Sequence, residues 1–223
     1  AIAALAKANG IVSMIDNTFA SPINQTPVDF GIDIMIHSAT KYMGGHSDIL
    51  AGAVAASEEH ILKIFNIGKN LGGNLSDFMV WMLERSLKTL NLRVKRQSKN
   101  ALKMAKYLSK NKHIEAVYYP GLKTHKDYKL AKKQMKNFGG MLSFELKDGM
   151  EAMEFQNNLK LIKSSMSLAG VESTMLSPAE TSHGLLSPEE RAKQGIKDGL
   201  IRFSVGIEET KDLIADIEQA LLK

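Results

Sequence analysis

Ile32-Asp33-Ile34-Met35-Ile36-His37-Ser38-Ala39-Thr40-Lys41-Tyr42-Met43-Gly44-Gly45 begins as an apolar run and ends in hydroxyls, a lysine and two glycines. A short run of β-branched and apolar residues, stopped by small polar ones, predicts a buried strand over 32–36. Ile11 to Ile15 has the same form and is stopped by Asp16-Asn17. Gly52 to Ala56 reads as a third strand. Strands apolar on both faces, separated by helix or loop, predict an α/β unit with a mostly parallel sheet covered on both sides. Such sheets bind ligands at the carboxyl ends of their strands. Asp16 and the segment from Ser38 to Lys41 both fall at that edge.

Working outward, Ala1 to Asn9 reads as an amphipathic helix stopped by Gly10. A helix that feeds a buried strand belongs in the middle of an α/β domain, so a further N-terminal portion is expected upstream. Helices are predicted at 58–66, 77–91 and 93–111. The pattern then changes to strands at 115–119, 141–146, 162–168 and 200–205, interleaved with helices at 126–136, 150–159 and 209–222. The domain boundary is expected near residue 90, giving a first domain over 1–90 and an α+β C-terminal domain over 91–223.

Apolar residues make up 44% of the 223, and charged residues 24%, which is the balance of a globular chain and not of a disordered one. Cysteine is absent, which removes disulfides and thiolate metal sites. The longest apolar run, Ile49 to Ala56, is too short to cross a bilayer, and no basic-then-apolar leader opens the chain. The net charge of +5 owes much to Arg93, Lys95, Arg96, Lys99, Lys103, Lys106, Lys110 and Lys112. Leu92, Ala101, Leu102, Ala105 and Leu108 recur among them at helical spacing, which predicts a helix with one solvated basic face. One aromatic residue, Tyr107, falls among these lysines, too few to form a stacking platform for bases, so nucleic acid is not expected as a partner; with no apolar run long enough to span a bilayer, neither is a membrane.

Lys41 carries the chemistry. A lysine that forms a Schiff base must be neutral part of the time, which desolvation or a neighbouring cation can bring about. Ser38 and Thr40 are hydroxyls suited to a phosphate, with glycines beside them that let backbone approach closely. Asp16 is suited to a pyridinium nitrogen. On composition alone, the plainer reading is that Lys41 is an exposed loop lysine and Ser38 and Thr40 are turn residues. His183 reads as a hydrogen-bonded support, and His37 and His46 lack the carboxylate spacing of a metal site. Met141, Met150 and Met153 read as core, and Gly139-Gly140 as a tight turn into a strand.

Asp16-Asn17-Thr18-Phe19-Ala20-Ser21-Pro22, then His37-Ser38-Ala39-Thr40-Lys41-Tyr42-Met43-Gly44-Gly45-His46-Ser47-Asp48, resemble the cysteine/methionine-metabolism (trans-sulfuration) family of pyridoxal-phosphate enzymes. The resemblance continues through Tyr119-Pro120-Gly121-Leu122, Phe138-Gly139-Gly140-Met141, Ser167-Leu168-Ala169-Gly170-Val171-Glu172-Ser173, Pro178-Ala179-Glu180-Thr181-Ser182-His183 and Ile201-Arg202-Phe203-Ser204-Val205-Gly206-Ile207-Glu208. It implies a fold-type-I pyridoxal-phosphate transferase architecture, with 1–90 the remainder of the cofactor-binding large domain and 91–223 the small domain. It further implies that pyridoxal 5'-phosphate is held by Asp16, Thr18, Ser38, Thr40 and Lys41. Lys41 is implied as the Schiff-base and catalytic lysine, and Arg202 with Ser167 as the site of the substrate carboxylate. No metal is implied.

The function implied is carbon–sulfur lyase action on cystathionine, methionine or related amino acids by β- or γ-elimination. The alternative is a cystathionine γ-synthase or homoserine-ester sulfhydrylase; an aminotransferase and a non-catalytic remnant are remoter. Many γ-synthases and γ-lyases have glutamate where this chain has Met166, which leans toward a lyase. The family also implies a small amino-acid substrate, a cytoplasmic homotetramer, and cofactor-cradling groups upstream of residue 1.

Overall fold

The computed structural model describes residues 1–147 and 149–222. They form two compact units, Ala1–Val94 and Lys95–Lys223. In the first unit, α1 (Ile2–Ala8) is followed by β1 (Met14–Asp16), the single turn α2 (Ser21–Asn24), a 3₁₀ turn at Pro27–Phe30, and β2 (Ile34–Ser38). β3 (Gly52–Ala56), α3 (Glu58–Leu71) and α4 (Asp77–Leu87) complete it, and α5 (Leu90–Leu108) begins in it. Gly10, with φ +64°, turns the chain out of α1 as expected.

β1 and β2 run parallel, with Met14 opposite Ile34 and Asp16 opposite Ile36. β3 lies antiparallel to β2, from Ile34 opposite Ala56 to Ser38 opposite Gly52. The expected third strand is therefore present at its predicted place but returns along β2, so this three-stranded sheet is mixed. The reason is local: only the turn of residues 39–51 joins the two strands, and no crossover helix intervenes. Ser57 caps α3 by accepting from the His60 N–H, and Ser76 caps α4 by accepting from the Met79 N–H.

The second unit contains β4 (Ile114–Tyr118), α6 (Tyr128–Gln134), β5 (Met141–Leu146), α7 (Ala152–Asn158), β6 (Lys163–Ser164), β7 (Thr174–Leu176), α8 (Pro188–Lys193), β8 (Leu200–Ser204) and α9 (Thr210–Leu221). Its sheet has the order β4-β5-β8-β7-β6, and only the β6–β7 pair is parallel. Phe144, Met175, Ile201 and Phe203 from the strands pack with Leu213 and Ile217 of α9. Phe155 of α7 meets Phe144 edge-on, with centroids 6.1 Å apart. The buried Asp216 carboxylate takes the N–H groups of Lys160 (2.8 Å), Leu161 (2.9 Å) and Ile162 (2.8 Å), tying the segment after α7 to α9.

Several expectations are corrected. The strand expected over 162–168 is reduced to Lys163–Ser164. Thr174–Leu176 and Pro188–Lys193 are additional elements, and the latter carries a readable signal: Ser187 and Glu190 form a reciprocal capping box around Pro188. Met150 packs partly against the core, but Met153 is 46% exposed. The basic face of α5 is also not wholly solvated. Leu92 is 71% exposed and Arg93 only 5%. The buried line runs through Leu90, Val94, Gln97, Ala101, Met104, Ala105 and Leu108. The polar members have partners: Gln97 Nε2 donates to the Gly170 carbonyl at 2.7 Å, and Asn100 Nδ2 to that of Glu208 at 2.8 Å.

Candidate active site

The carboxyl ends of β1 and β2 are joined by one hydroxyl. Beyond the last paired residues, the Asn17 N–H still reaches the Ile36 carbonyl at 2.8 Å. This brings Thr18 over the end of β2. Thr18 Oγ1 donates to Asp16 Oδ1 at 2.6 Å and accepts the Ser38 N–H at 2.7 Å. The Thr18 N–H adds a second bond to Asp16 Oδ1 at 2.9 Å. Thr18 is buried and Asp16 is open to solvent. The Thr18 hydroxyl first, and its N–H second, hold the Asp16 carboxyl below the usual carboxylate range; partial burial opposes them, and His37 lowers it a little further. His37, buried on β2, is itself pushed down by desolvation, against the pull of Asp16. Asp16 is therefore an anion at neutral pH.

Past β2 the chain turns tightly. The Lys41 N–H donates to the Ser38 carbonyl (3.1 Å), that of Gly44 to Ala39 (2.8 Å) and that of Gly45 to Lys41 (2.7 Å). Lys41 is half-buried, and its amine makes no hydrogen bond or ion pair with any described residue. The Ser38 hydroxyl is similarly uncommitted. Thr40 differs: its hydroxyl accepts the Ala51 N–H at 2.9 Å and lies 3.3 Å from the Ala51 carbonyl. Thr40 is thus engaged in closing the 40–51 loop, and a phosphate would have to take its proton from Ala51. The glycines, expected to admit a phosphate, have other neighbours. A Cβ at Gly44 would meet Ile49 at 2.8 Å, and one at Gly45 would meet the Arg93 guanidinium at 1.8 Å. Arg93 is the residue that sequence reasoning missed, because it was assigned to a solvated face.

Ser167 and Arg202 belong to the second unit. Arg202 lies on β8, opposite Ser143 and Leu176. Its Nη2 donates to the carbonyls of Met166 (2.9 Å) and Ser167 (3.0 Å), and the Thr174 hydroxyl donates to the Ser167 carbonyl at 3.1 Å. Arg202 Nε is buried without a hydrogen-bond partner among the described residues. Burial lowers the Arg202 pKa, but guanidinium starts so high that it remains a cation. His183 pairs with the Ser182 hydroxyl at 2.8 Å, and His46 Nδ1 lies 2.7 Å from the Gly44 carbonyl. Among the described residues, no three His, Asp or Glu side chains are grouped to hold a metal, and no helix is long and apolar enough to cross a membrane.

The donor set at the end of the first sheet fits pyridoxal phosphate. It offers a depressed carboxylate for the ring nitrogen, a free serine hydroxyl for the phosphate, and an unpaired lysine amine on the next turn.

Comparison with known proteins agrees. The family model for Cys/Met metabolism PLP-dependent enzymes matches residues 1–222. Cystathionine beta-lyase of Lactococcus lactis subsp. cremoris is 46% identical over 223 residues, 100% of this chain and 59% of that protein. L-methionine gamma-lyase of Fusobacterium nucleatum subsp. nucleatum is 46% identical over 213 residues, 94% of this chain and 54% of that one. The crystal structure of cystathionine gamma synthase from Xanthomonas oryzae pv. oryzae, in complex with cystathionine, superposes with a TM-score of 0.93 at 40% identity, covering 99% of this chain and 58% of that one. The chain therefore spans less than two thirds of the length of these relatives, and its fold is that of fold-type-I pyridoxal-phosphate enzymes. With the match running from residue 1 to residue 222 and a donor set suited to the cofactor at the strand ends, the chain belongs to the Cys/Met metabolism family of pyridoxal-phosphate-dependent enzymes.

Proposed function

We propose that this chain carries the lysine-bearing part of a carbon–sulfur lyase acting on cystathionine, methionine or a related sulfur amino acid. The observation that carries the reading is the strand-end arrangement: ionised Asp16, joined through Thr18 to Ser38, followed on the next turn by the unpartnered Lys41 amine. Pyridoxal phosphate, when bound, supplies an electron sink for negative charge at the substrate α carbon. Asp16 would hold a proton at the pyridine nitrogen by charge. Ser38 Oγ would donate to a phosphate oxygen, with Thr40 joining it on leaving Ala51. Thr18 would act beneath them, its hydroxyl fixing Asp16 and the Ser38 backbone. Lys41 Nζ would attach the cofactor and, once displaced by the substrate amine, would carry the proton taken from the α carbon. Arg202 is assigned to the substrate carboxylate because its planar fork matches that anion, with Ser167 beside it. Elimination breaks the carbon–sulfur bond, and hydrolysis of the remaining enamine releases a keto acid and ammonia.

The second reading is γ-replacement, in which a thiol adds at the γ carbon of an activated homoserine; the 40% identity to the Xanthomonas synthase favours it. The exposed Met166, whose carbonyl is held by Arg202, stands where a glutamate is common in γ-synthases and in many γ-lyases, and its absence leans slightly toward a lyase. The full-length protein is proposed to be a cytoplasmic homotetramer, by analogy with the family, and to use residues 91–223 as its small domain. Full-length protein should be mixed with cystathionine, with methionine, and with an acylhomoserine plus cysteine. Keto acid from either of the first two supports the lyase. Cystathionine from the third supports the synthase. No product from any of them defeats both readings.

A further inference from the structure

Arg93 is 5% exposed, and no carboxylate among the described residues lies within ion-pair range of it. Its guanidinium instead serves backbone. Nη1 donates to the Tyr42 carbonyl at 2.7 Å. Nη2 donates to the carbonyls of Ser86 at 2.9 Å and Met43 at 3.1 Å. Nε donates to the Thr89 hydroxyl at 3.0 Å. A buried cation is costly unless hydrogen bonds replace its water, so these four bonds must persist together or the side chain leaves. Two of the acceptors are the peptide carbonyls immediately after Lys41. The planar fork grips consecutive carbonyls and so fixes the 42–43 and 43–44 peptide planes; the Lys41 carbonyl is held by the Gly45 N–H at 2.7 Å and its N–H by the Ser38 carbonyl at 3.1 Å, so the fork steadies the tight turn that carries Lys41. Gly45 completes the seat. It sits at φ +71°, and any Cβ there would occupy the position of Nη1.

We propose that Arg93 is a positioning residue for Lys41: seated through Gly45, its fork on the Tyr42 and Met43 carbonyls holds the lysine turn in the orientation needed for cofactor attachment. The inference rests on the proposed reading of Lys41. Gly45, the second glycine after Lys41, is then an arginine seat, and the arginine has to be an arginine. Lysine keeps the charge but lacks the fork that reaches both carbonyls.

The test uses full-length protein as wild type, Arg93→Lys and Gly45→Ala. Ile34→Ala serves as a control that removes a buried side chain at the far end of β2. Apo-protein is first followed by hydrogen exchange over residues 38–49, and urea midpoints are recorded. Pyridoxal phosphate is then added at limiting concentration, borohydride is applied, and cofactor trapped on Lys41 is measured by peptide mass spectrometry. Arg93→Lys and Gly45→Ala are expected to accelerate exchange and to reduce trapping by about tenfold, the effect of losing one or two charge-assisted hydrogen bonds. Ile34→Ala is expected to lower the urea midpoint and leave both readouts near wild type. Trapping in Arg93→Lys equal to wild type overturns the inference, as does an equal loss in Ile34→Ala, which would mark a merely structural role. If Arg93→Lys does not fold, Gly45→Ala decides by the same criteria. Wild type that traps nothing on Lys41 refutes the reading of the site itself, an outcome distinct from trapping that ignores Arg93.

Discussion

The two units are held together by different means. The second unit has a continuous apolar core in which Tyr119, Phe144, Met175, Ile201, Phe203, Leu213 and Ile217 are fully buried. The strand ends of the first unit, by contrast, are ordered without a comparable apolar cluster. Their order comes from polar ties: Thr18 between Asp16 and Ser38, Asp33 on Ser13, and Arg93 on three carbonyls. A sheet edge that must present a carboxylate, a hydroxyl and an amine cannot cover them with hydrocarbon. The strand ends are therefore shaped chiefly by hydrogen bonds, whereas the second unit adds ties such as that of Asp216 to a packed apolar core.

That contrast can be broken at either end. The largest effect is expected from Lys41→Ala, which removes an amine that makes no hydrogen bond or ion pair among the described residues. Cofactor absorbance near 420 nm in full-length protein should vanish while the urea midpoint of the apo-protein is unchanged, and retained absorbance would reassign the lysine. Next is Phe203→Ala in the second unit, expected to cost about 3–5 kcal/mol in urea unfolding through lost burial and the cavity left behind. A cost below about 1 kcal/mol would mean that this core is not close-packed.

The smallest effect, and the sharpest, is Thr18→Val. The Asp16 carboxyl is depressed chiefly by the Thr18 hydroxyl, so its folded pKa lies below its unfolded value of about 3.9. A depressed carboxylate contributes stability that is complete above the unfolded value and is lost as pH falls through the folded one. Removing the hydroxyl brings the two values closer, while the Thr18 N–H and His37 continue to lower the folded one. Wild type should then be the more stable at pH 7, by about 0.5–1.5 kcal/mol. The gap should narrow below about pH 4, and a gap that stays constant down to about pH 2 would separate Thr18 from the ionisation of Asp16.

Sequence by itself determined that strands lead up to the groups of the site and which chemical groups follow, although the strands expected over 11–15 and 32–36 lie at Met14–Asp16 and Ile34–Ser38, so that Asp16 and Ser38 are their last residues. Gly52–Ala56 and Met141–Leu146 appear with their predicted bounds, because β-branched and apolar runs between turn residues have few alternatives. Asp16, Ser38 and Lys41 follow from the same reading, since a polar stop after a buried strand falls at the sheet edge. Tertiary structure alone decided the direction of β3, the engagement of Thr40 with Ala51, and the burial of Arg93. Each depends on which backbone groups lie opposite, at sequence separations of 11 residues for Thr40 and about 50 for Arg93, and periodicity carries no record of such partners. An arginine among lysines at helical spacing looks solvated until the carbonyls that replace its water are located. Two of those three carbonyls, Tyr42 and Met43, belong to the turn that carries Lys41.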